Sequence, residues 1–115
     1  MFRPRWADSA SAEYERLRDA AARASESRKK RGKRKSSKQE GLFKQVHKAI
    51  ELLPSDPRHP SLRSHGYHSL ESPFDPGARI FEAYAQTNTP GAYRIFWCYG
   101  PGSREITIIA ITPHP

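Results

Sequence analysis

The residues of this chain that could carry chemistry form one basic and aromatic set in its second half. An arginine is always charged and can hold a phosphate through two hydrogen bonds, and a histidine can act as acid or base near neutral pH. Cleavage of RNA without a metal needs a base for the 2′-hydroxyl proton, a cation for the charge on phosphorus and an acid for the leaving 5′-oxygen. The set contains side chains for each role: Arg63, His65, Tyr67, His68, Glu82, Tyr84, Arg94 and His114.

The same set could instead bind RNA without cleaving it, because aromatic rings stack on bases and cations hold phosphates. A third interpretation is purely structural: Arg94 is then a surface cation and His114 belongs to a frayed terminus. Residue types and spacing alone leave these three possibilities open.

Other chemistries find little support in the sequence. His59, His65 and His68 lie close together, but their spacing matches no common zinc pattern and no cysteine pair accompanies them. We therefore predict no metal site and no cofactor. Neither a phosphate-binding glycine-rich loop nor a recognisable Ser-His-Asp arrangement is present. Cys98 falls within a strand and is expected to be a small packed residue.

Length and charge limit the class of protein. The 115 residues predict one domain, 1–115, with a thin core, because only 36% of the residues are hydrophobic and 28% are charged. The formal net charge is +8 and the sequence pI is about 10.0. A small basic domain points first to nucleic acid or an acidic partner. The alternative is a solvated surface with a basic tail.

Cysteine usage and hydropathy indicate a compartment. Cys98 is the only cysteine, so no intramolecular disulfide can form, which fits a reducing environment. The chain has no long apolar run, and residues 1–6 lack the apolar block of a signal peptide. We expect a cytoplasmic protein that does not span a membrane.

Three predicted strands must position most of the chemical residues. Aromatic and β-branched runs at 78–86, 92–99 and 104–112, separated by Gly/Pro-rich turns, predict an antiparallel meander. The loop lengths place Glu82 opposite Phe96, Tyr84 opposite Arg94, Arg94 opposite Ile109 and Trp97 opposite Ile106. Alternation then defines two faces. The predicted core face carries Phe81, Ala83, Ala85, Ile95, Trp97, Ile106, Ile108 and Ala110. The predicted binding face carries Glu82, Tyr84, Arg94, Phe96, Cys98, Thr107 and Ile109.

The first half of the chain predicts a strand and two helices. Residues 2–6 alternate apolar and basic side chains, as in an edge strand. An apolar stripe at helical spacing predicts a helix over 9–27. A capping box at 37–40 opens a second helix over 40–53, which we expect Pro54 to end. This helical hairpin is expected to cover the apolar face of the sheet, giving an α+β fold.

Two segments between these elements are rich in basic residues. Residues 28–38 hold eight cations and no acid, so we predict a flexible loop or frayed helix end. This loop either contacts phosphates, with Lys33, Arg34 and Lys35 as candidates, or only solubilises the chain. Residues 54–77 form a long irregular segment, which Leu62 and Leu70 are expected to attach to the core. Its candidate RNA-binding residues are Arg58, Arg63, His65, Tyr67 and His68.

The order of elements, together with three local motifs, resembles the RelE/ParE superfamily of bacterial toxin–antitoxin systems. The segment His59–His65 is similar to the family's loop after the second helix. Ala92–Trp97 resembles its strand with a Tyr-Arg pair before apolar residues. Ile106–His114 resembles its final strand, which ends in a histidine in several branches. The resemblance extends over nearly the whole chain.

The resemblance implies a RelE-like toxin held inactive by a cognate antitoxin and, in two branches, cleavage of mRNA on the ribosome. Arg94 matches the strand arginine that contacts the scissile phosphate, and His114 matches a terminal histidine used as acid or base. The family's loop carboxylate has no counterpart, and its paired lysines on the second strand are also absent. From face parity, Glu82 and Tyr84 are candidates to substitute for them.

Two other functions are compatible with the same resemblance. The ParE branch inhibits DNA gyrase without acting as an enzyme, and its pattern also includes a late histidine. A degenerate family member would bind only RNA or its antitoxin. We expect the ribonuclease first, the gyrase inhibitor second and the binding protein third.

Overall fold

Two helices pack on one face of a five-stranded sheet in the computed structural model, which describes residues 1–114. The helices are α1 (Asp8–Lys30) and α2 (Lys38–Ser55), and a short 3-10 helix spans Pro60–Leu62. The strands are β1 (Arg3–Trp6), β2 (His65–Tyr67), β3 (Ile80–Tyr84), β4 (Tyr93–Tyr99) and β5 (Glu105–Pro113). The predicted α+β class is confirmed.

The sheet has the order β1-β5-β4-β3-β2. Strand β1 runs parallel to β5, and every other neighbouring pair is antiparallel. The three predicted strands of the meander are confirmed with boundaries shifted by one or two residues. Strand β2 was not predicted, since it has only three residues and lies inside the long irregular segment.

The predicted register is right for one hairpin and wrong for the next. Glu82 pairs with Phe96 and Tyr84 with Arg94, as the loop length indicates. Trp97, however, pairs with Ile108 rather than Ile106, because the following turn is longer than four residues. A β-bulge at Ile109 then shifts the pairing by one more residue, so that Arg94 lies opposite Thr112.

This bulge also exchanges the faces of the end of β5. Ile108 lies in the core beneath the helices, but Ala110 packs on the opposite face beside Phe96, and Ile111 returns to the core. The prediction that Ala110 belongs to the core face is therefore wrong. The face without helices, called the open face below, gains the even-numbered residues after the bulge.

The core lies between the helices and the sheet. Trp97 and Ile108 are fully buried, as predicted, in one cluster with Val46 and Leu53 of α2. Of the two leucines predicted to attach the long segment, Leu62 is buried but Leu70 is 40% exposed. The second attachment is thus wrong, because Leu70 lines a groove on the open face with Tyr67 and Phe96 instead of packing in the core.

The helix ends show where local sequence signals hold. Ser37 and Glu40 form the predicted capping box, with each side chain accepting from the other residue's backbone N–H. Helix α2 continues one residue past Pro54, and the carbonyl oxygen of Pro54 accepts a hydrogen bond from the N–H of Phe2. Neither helix of the described part of the chain is long and apolar enough to cross a membrane.

The basic tract begins inside α1 rather than after it. Arg28 lies in the last turns of α1 and donates two hydrogen bonds, at 2.9 and 3.0 Å, to the two carboxylate oxygens of Glu40. This contact lowers the pKa of Glu40 to about 2. The ion pair between Arg28 and Glu40 therefore stabilises the folded protein at any pH above the usual pKa of a carboxyl group. This stabilisation is lost as the pH falls towards 2.

Removing the cap should cost a measurable part of the stability. We expect Ser37→Ala to lower the free energy of unfolding by about 1 kcal/mol, since the N–H of Glu40 loses its acceptor. The melting temperature should fall by about 4 °C. Ser36→Ala is the matched control, because Ser36 is exposed and lies one residue outside the cap. Equal melting temperatures for the two variants would contradict the assignment of the cap.

Candidate functional site

The side chains of the open face converge on one buried carboxylate. Glu82 is only 2% exposed. The Nε2 atom of His65 lies 2.8 Å from its Oε1, and the Nδ1 atom of His114 lies 3.1 Å from its Oε2. The Nε atom of Arg94 lies 3.8 Å from Oε2, which is an ion pair but too long for a hydrogen bond. Three basic side chains thus share one carboxylate.

The strands bring these residues together for two separate reasons. His65 is the register partner of Glu82 across β2 and β3, so their side chains lie on the same face. His114 follows β5, and it reaches this face only because the bulge at Ile109 inverts the alternation. A regular β5 would place an even-numbered residue such as His114 on the helix side with Ile108.

Arg94 is held from two sides. Its guanidinium carbon lies 3.8 Å from the centroid of the Tyr84 ring, and its Nη1 donates a 2.8 Å hydrogen bond to the carbonyl oxygen of Gln86. The residue is 8% exposed. The interpretation of Arg94 as a surface cation is therefore wrong. Its charge belongs to a buried ion pair with Glu82, beneath an aromatic ring.

The contacts of His65 involve both of its ring nitrogens. Its Nδ1 lies 3.0 Å from the carbonyl oxygen of Arg63. Its Nε2 lies 2.8 Å from Glu82 Oε1. Both nitrogens of His65 are therefore engaged by the protein.

His114 differs from His65 in having one nitrogen available. Its Nδ1 faces Glu82, and within residues 1–114 no hydrogen bond engages its Nε2. The side chain is about half exposed. A carboxylate that fixes one imidazole nitrogen while the other faces outward is the arrangement in which histidine transfers protons. Arg94 lies beside the same carboxylate, so a cation and a proton-transfer group occur together.

Two more predicted residues lie at the rim of this cluster. The guanidinium carbon of Arg63 is 6.0 Å from the Tyr84 ring centroid, and the His65 ring meets Tyr84 edge-on at 5.8 Å. Tyr67 is on the same face but packs on Phe96, with ring centroids 4.8 Å apart. It lines a shallow groove of about 230 Å³ with Leu70 and Pro113.

The other predicted residues lie away from the cluster. His68 follows β2 and lines a separate groove with Arg79. Arg58 lies on the helix side of the sheet, over the ring of Phe81. Lys33, Arg34 and Lys35 are exposed in the turn between α1 and α2. Helix α1 has 23 residues, a length of about 34 Å at 1.5 Å per residue, so this turn lies far along the hairpin from β1.

Two contributors to the cluster were not found from the sequence. The carbonyl oxygen of Gln86 accepts a hydrogen bond from Arg94. Every residue has a main-chain carbonyl, so the residue type does not indicate this contact. The bulge at Ile109 places His114, and no glycine or other signal of a bulge occurs there. His65 was predicted to bind RNA, but its role beside Glu82 was not predicted.

The described residues form no group of three or more His, Cys, Asp or Glu side chains that could hold a metal ion. Comparisons with protein-family models, curated proteins and solved structures give no match for this chain. A function for this chain is therefore inferred from the geometry of the open face and from the motifs of the sequence.

Proposed function

We propose that this chain is a RelE-like toxin that cleaves mRNA on the ribosome and is held inactive by a cognate antitoxin in the cytoplasm. The single observation that carries the proposal is the Glu82 cluster. Its carboxylate orients His114 with one imidazole nitrogen free, and Arg94 stands beside the same carboxylate. The order of elements and the three motifs described above support the family assignment.

In the proposed reaction, the 2′-oxygen of the substrate attacks the adjacent phosphorus. His114 Nε2 accepts the proton of the 2′-hydroxyl as the new oxygen–phosphorus bond forms. The bond from phosphorus to the 5′-oxygen breaks, and the hydroxyl of Tyr84 supplies the proton that this oxygen takes up. The products are a 2′,3′-cyclic phosphate and a free 5′-hydroxyl. No metal ion or cofactor enters these steps.

Arg94 offsets the negative charge that builds on the phosphoryl oxygens. Its Nη1 is bound to the Gln86 carbonyl oxygen and its Nε faces Glu82, so Nη2 is the donor that remains for the phosphate. A preorganised, largely buried cation needs little rearrangement during the reaction, and its effect is larger than in water. Glu82 is a positioning residue in this scheme, since it touches the histidine and the arginine.

The basic turn between the helices is expected to contact ribosomal RNA. Lys33, Arg34 and Lys35 are exposed, and the backbone carbonyls of Lys33 and Arg34 accept hydrogen bonds from Arg28. Arg28 itself is paired with Glu40, so the cations beyond it supply the free charge of this turn. Exposed cations at the end of a long hairpin suit a phosphate backbone better than a small substrate.

A translating extract tests the proposal directly. Wild-type protein should cut mRNA only while ribosomes translate it, and the upstream fragments should end in a 2′,3′-cyclic phosphate. A DNA gyrase supercoiling assay with the same preparation is the parallel measurement. Inhibited supercoiling with intact mRNA would replace the proposed function with that of a ParE-like gyrase inhibitor. If both assays are negative, the chain is a binding protein without ribonuclease activity.

A further inference from the structure

Two arginines outside the Glu82 cluster converge on one aromatic ring near the β2 edge of the sheet. The guanidinium carbons of Arg58 and Arg79 lie 5.6 and 5.2 Å from the centroid of the Phe81 ring. Trp97 stacks on the same ring, with 4.7 Å between the centroids and 20° between the planes. Both guanidinium groups therefore lie beside the same ring, on which Trp97 also stacks.

No acid compensates these two charges in the described part of the chain. The ion pairs and side-chain hydrogen bonds of residues 1–114 include neither Arg58 nor Arg79, and both side chains are exposed. Two uncompensated cations beside one ring raise the local positive potential, and a bound anion would offset that charge. The planar donor fork of a guanidinium group matches a phosphate in particular.

The backbone leaves room for one of these arginines. A Cβ atom on Gly66 would lie 2.7 Å from Nη2 and 2.9 Å from Nε of Arg79. Gly66 is also the register partner of Phe81, so the side chain of Arg79 lies over the glycine and beside the ring. Gly66 has no positive φ, so the close approach of the Arg79 side chain is the feature that the missing side chain permits.

We propose that Arg58 and Arg79 bind the phosphate backbone of the single-stranded RNA substrate, on the side of the sheet opposite the Glu82 cluster. The inference rests on the proposed function and specifies its substrate contacts. Gly66 and Phe81 directly adjoin His65 and Glu82 in the chain, and β2 is the edge strand. An RNA strand that crosses this edge therefore meets the arginine pair on one face and the cluster on the other.

The test measures binding without chemistry. The isolated protein is titrated with a fluorescent 2′-O-methyl oligoribonucleotide, which cannot be cleaved, at several salt concentrations. For a single strand, each phosphate contact contributes about 0.7 to the slope of log K against log salt. We expect Arg58→Gln and Arg79→Gln each to lower the slope by about 0.7, and the double variant by about 1.4. The matched control is Arg23→Gln, which removes one exposed charge from α1 and should leave the slope unchanged.

A further variant separates position from charge. Gly66→Ala keeps every cation and shifts only the flexible end of Arg79, so it should lower the slope by less than Arg79→Gln does, with the near-ultraviolet circular dichroism of the folded protein retained. An unchanged slope in the double variant would overturn the proposal. So would a loss of slope seen only with a 5′-phosphorylated oligonucleotide, since that would assign the pair to a terminal phosphate.

The outcome is independent of whether the chain cleaves RNA. Binding is measured on an uncleavable strand without ribosomes, so a protein inactive in the translating extract can still show the expected slopes. Conversely, the protein can cleave mRNA while its salt slope is the same with and without Arg58 and Arg79. That result would keep the proposed function and reject only this binding site.

Discussion

Replacing Arg94 with glutamine is expected to slow mRNA cleavage in a translating extract by roughly 10²–10³, the usual loss when one preorganised charge contact to a transition state is removed. The guanidinium group is held by the Gln86 carbonyl oxygen, the Tyr84 ring and Glu82, so its position is fixed before substrate arrives. Glutamine keeps an amide donor for Gln86 but lacks the charge. The rate is measured as the fraction of a reporter mRNA cut over time.

Burial dictates the choice of variant. Arg94→Ala would be the simplest truncation of a surface arginine, but Arg94 is 8% exposed and compensates the buried Glu82. Truncation to alanine would leave a cavity and a carboxylate short of one cation, so lost activity could reflect lost folding. Glutamine fills most of that volume, and the melting temperature of each variant must accompany its rate.

A lysine variant and a surface control sharpen this test. Arg94→Lys keeps the charge but not the planar fork that lies against Tyr84, so its rate should fall between those of wild type and Arg94→Gln. Arg23→Gln, which removes an exposed charge from α1, should cleave at the wild-type rate. A folded Arg94→Gln protein with full activity would remove Arg94 from the mechanism.

The sequence predicts the half of the site that depends on a short loop. Glu82, Tyr84 and Arg94 lie on the β3–β4 hairpin, where loop length and alternation fix which residues are opposite and on which face. The helical hairpin is equally well predicted, because its capping box and apolar stripes are local signals. Trp97 and Ile108 are buried for the same reason: each lies in phase with its strand's apolar face.

The other half of the site depends on features that residue types do not record. Strand β2 forms because His65–Tyr67 pairs with the edge of β3 that no other strand covers. The sequence of three residues does not indicate such a long-range pairing. The bulge at Ile109 decides the face of His114, and it depends on how β5 fits between β1 and β4. Arg79 was missed as a candidate because its position over Gly66 depends on that unpredicted strand.

The proposed roles of His114 and Glu82 lead to the second large effect. His114→Ala should slow cleavage by on the order of 10²–10⁴, the usual worth of a positioned acid or base. His114 lies at the end of β5 and is about half exposed, so its removal should leave the fold intact. A small base that enters the vacated space should restore part of the rate. Rescue by added imidazole therefore separates a lost proton-transfer group from a structural defect.

Glu82→Gln tests positioning, and Tyr84→Phe tests the second proton transfer. The glutamine keeps the shape of Glu82 but removes the charge that orients His114, so the pH–rate profile should change along with the rate.

Tyr84→Phe retains the ring against Arg94 and loses only the hydroxyl. If Tyr84 protonates the leaving 5′-oxygen, this variant should be slow on normal RNA but nearly normal on a 5′-thio substrate, whose better leaving group needs no acid. Full activity of a folded His114→Ala protein would show that the Glu82 cluster serves stability and that cleavage is performed elsewhere.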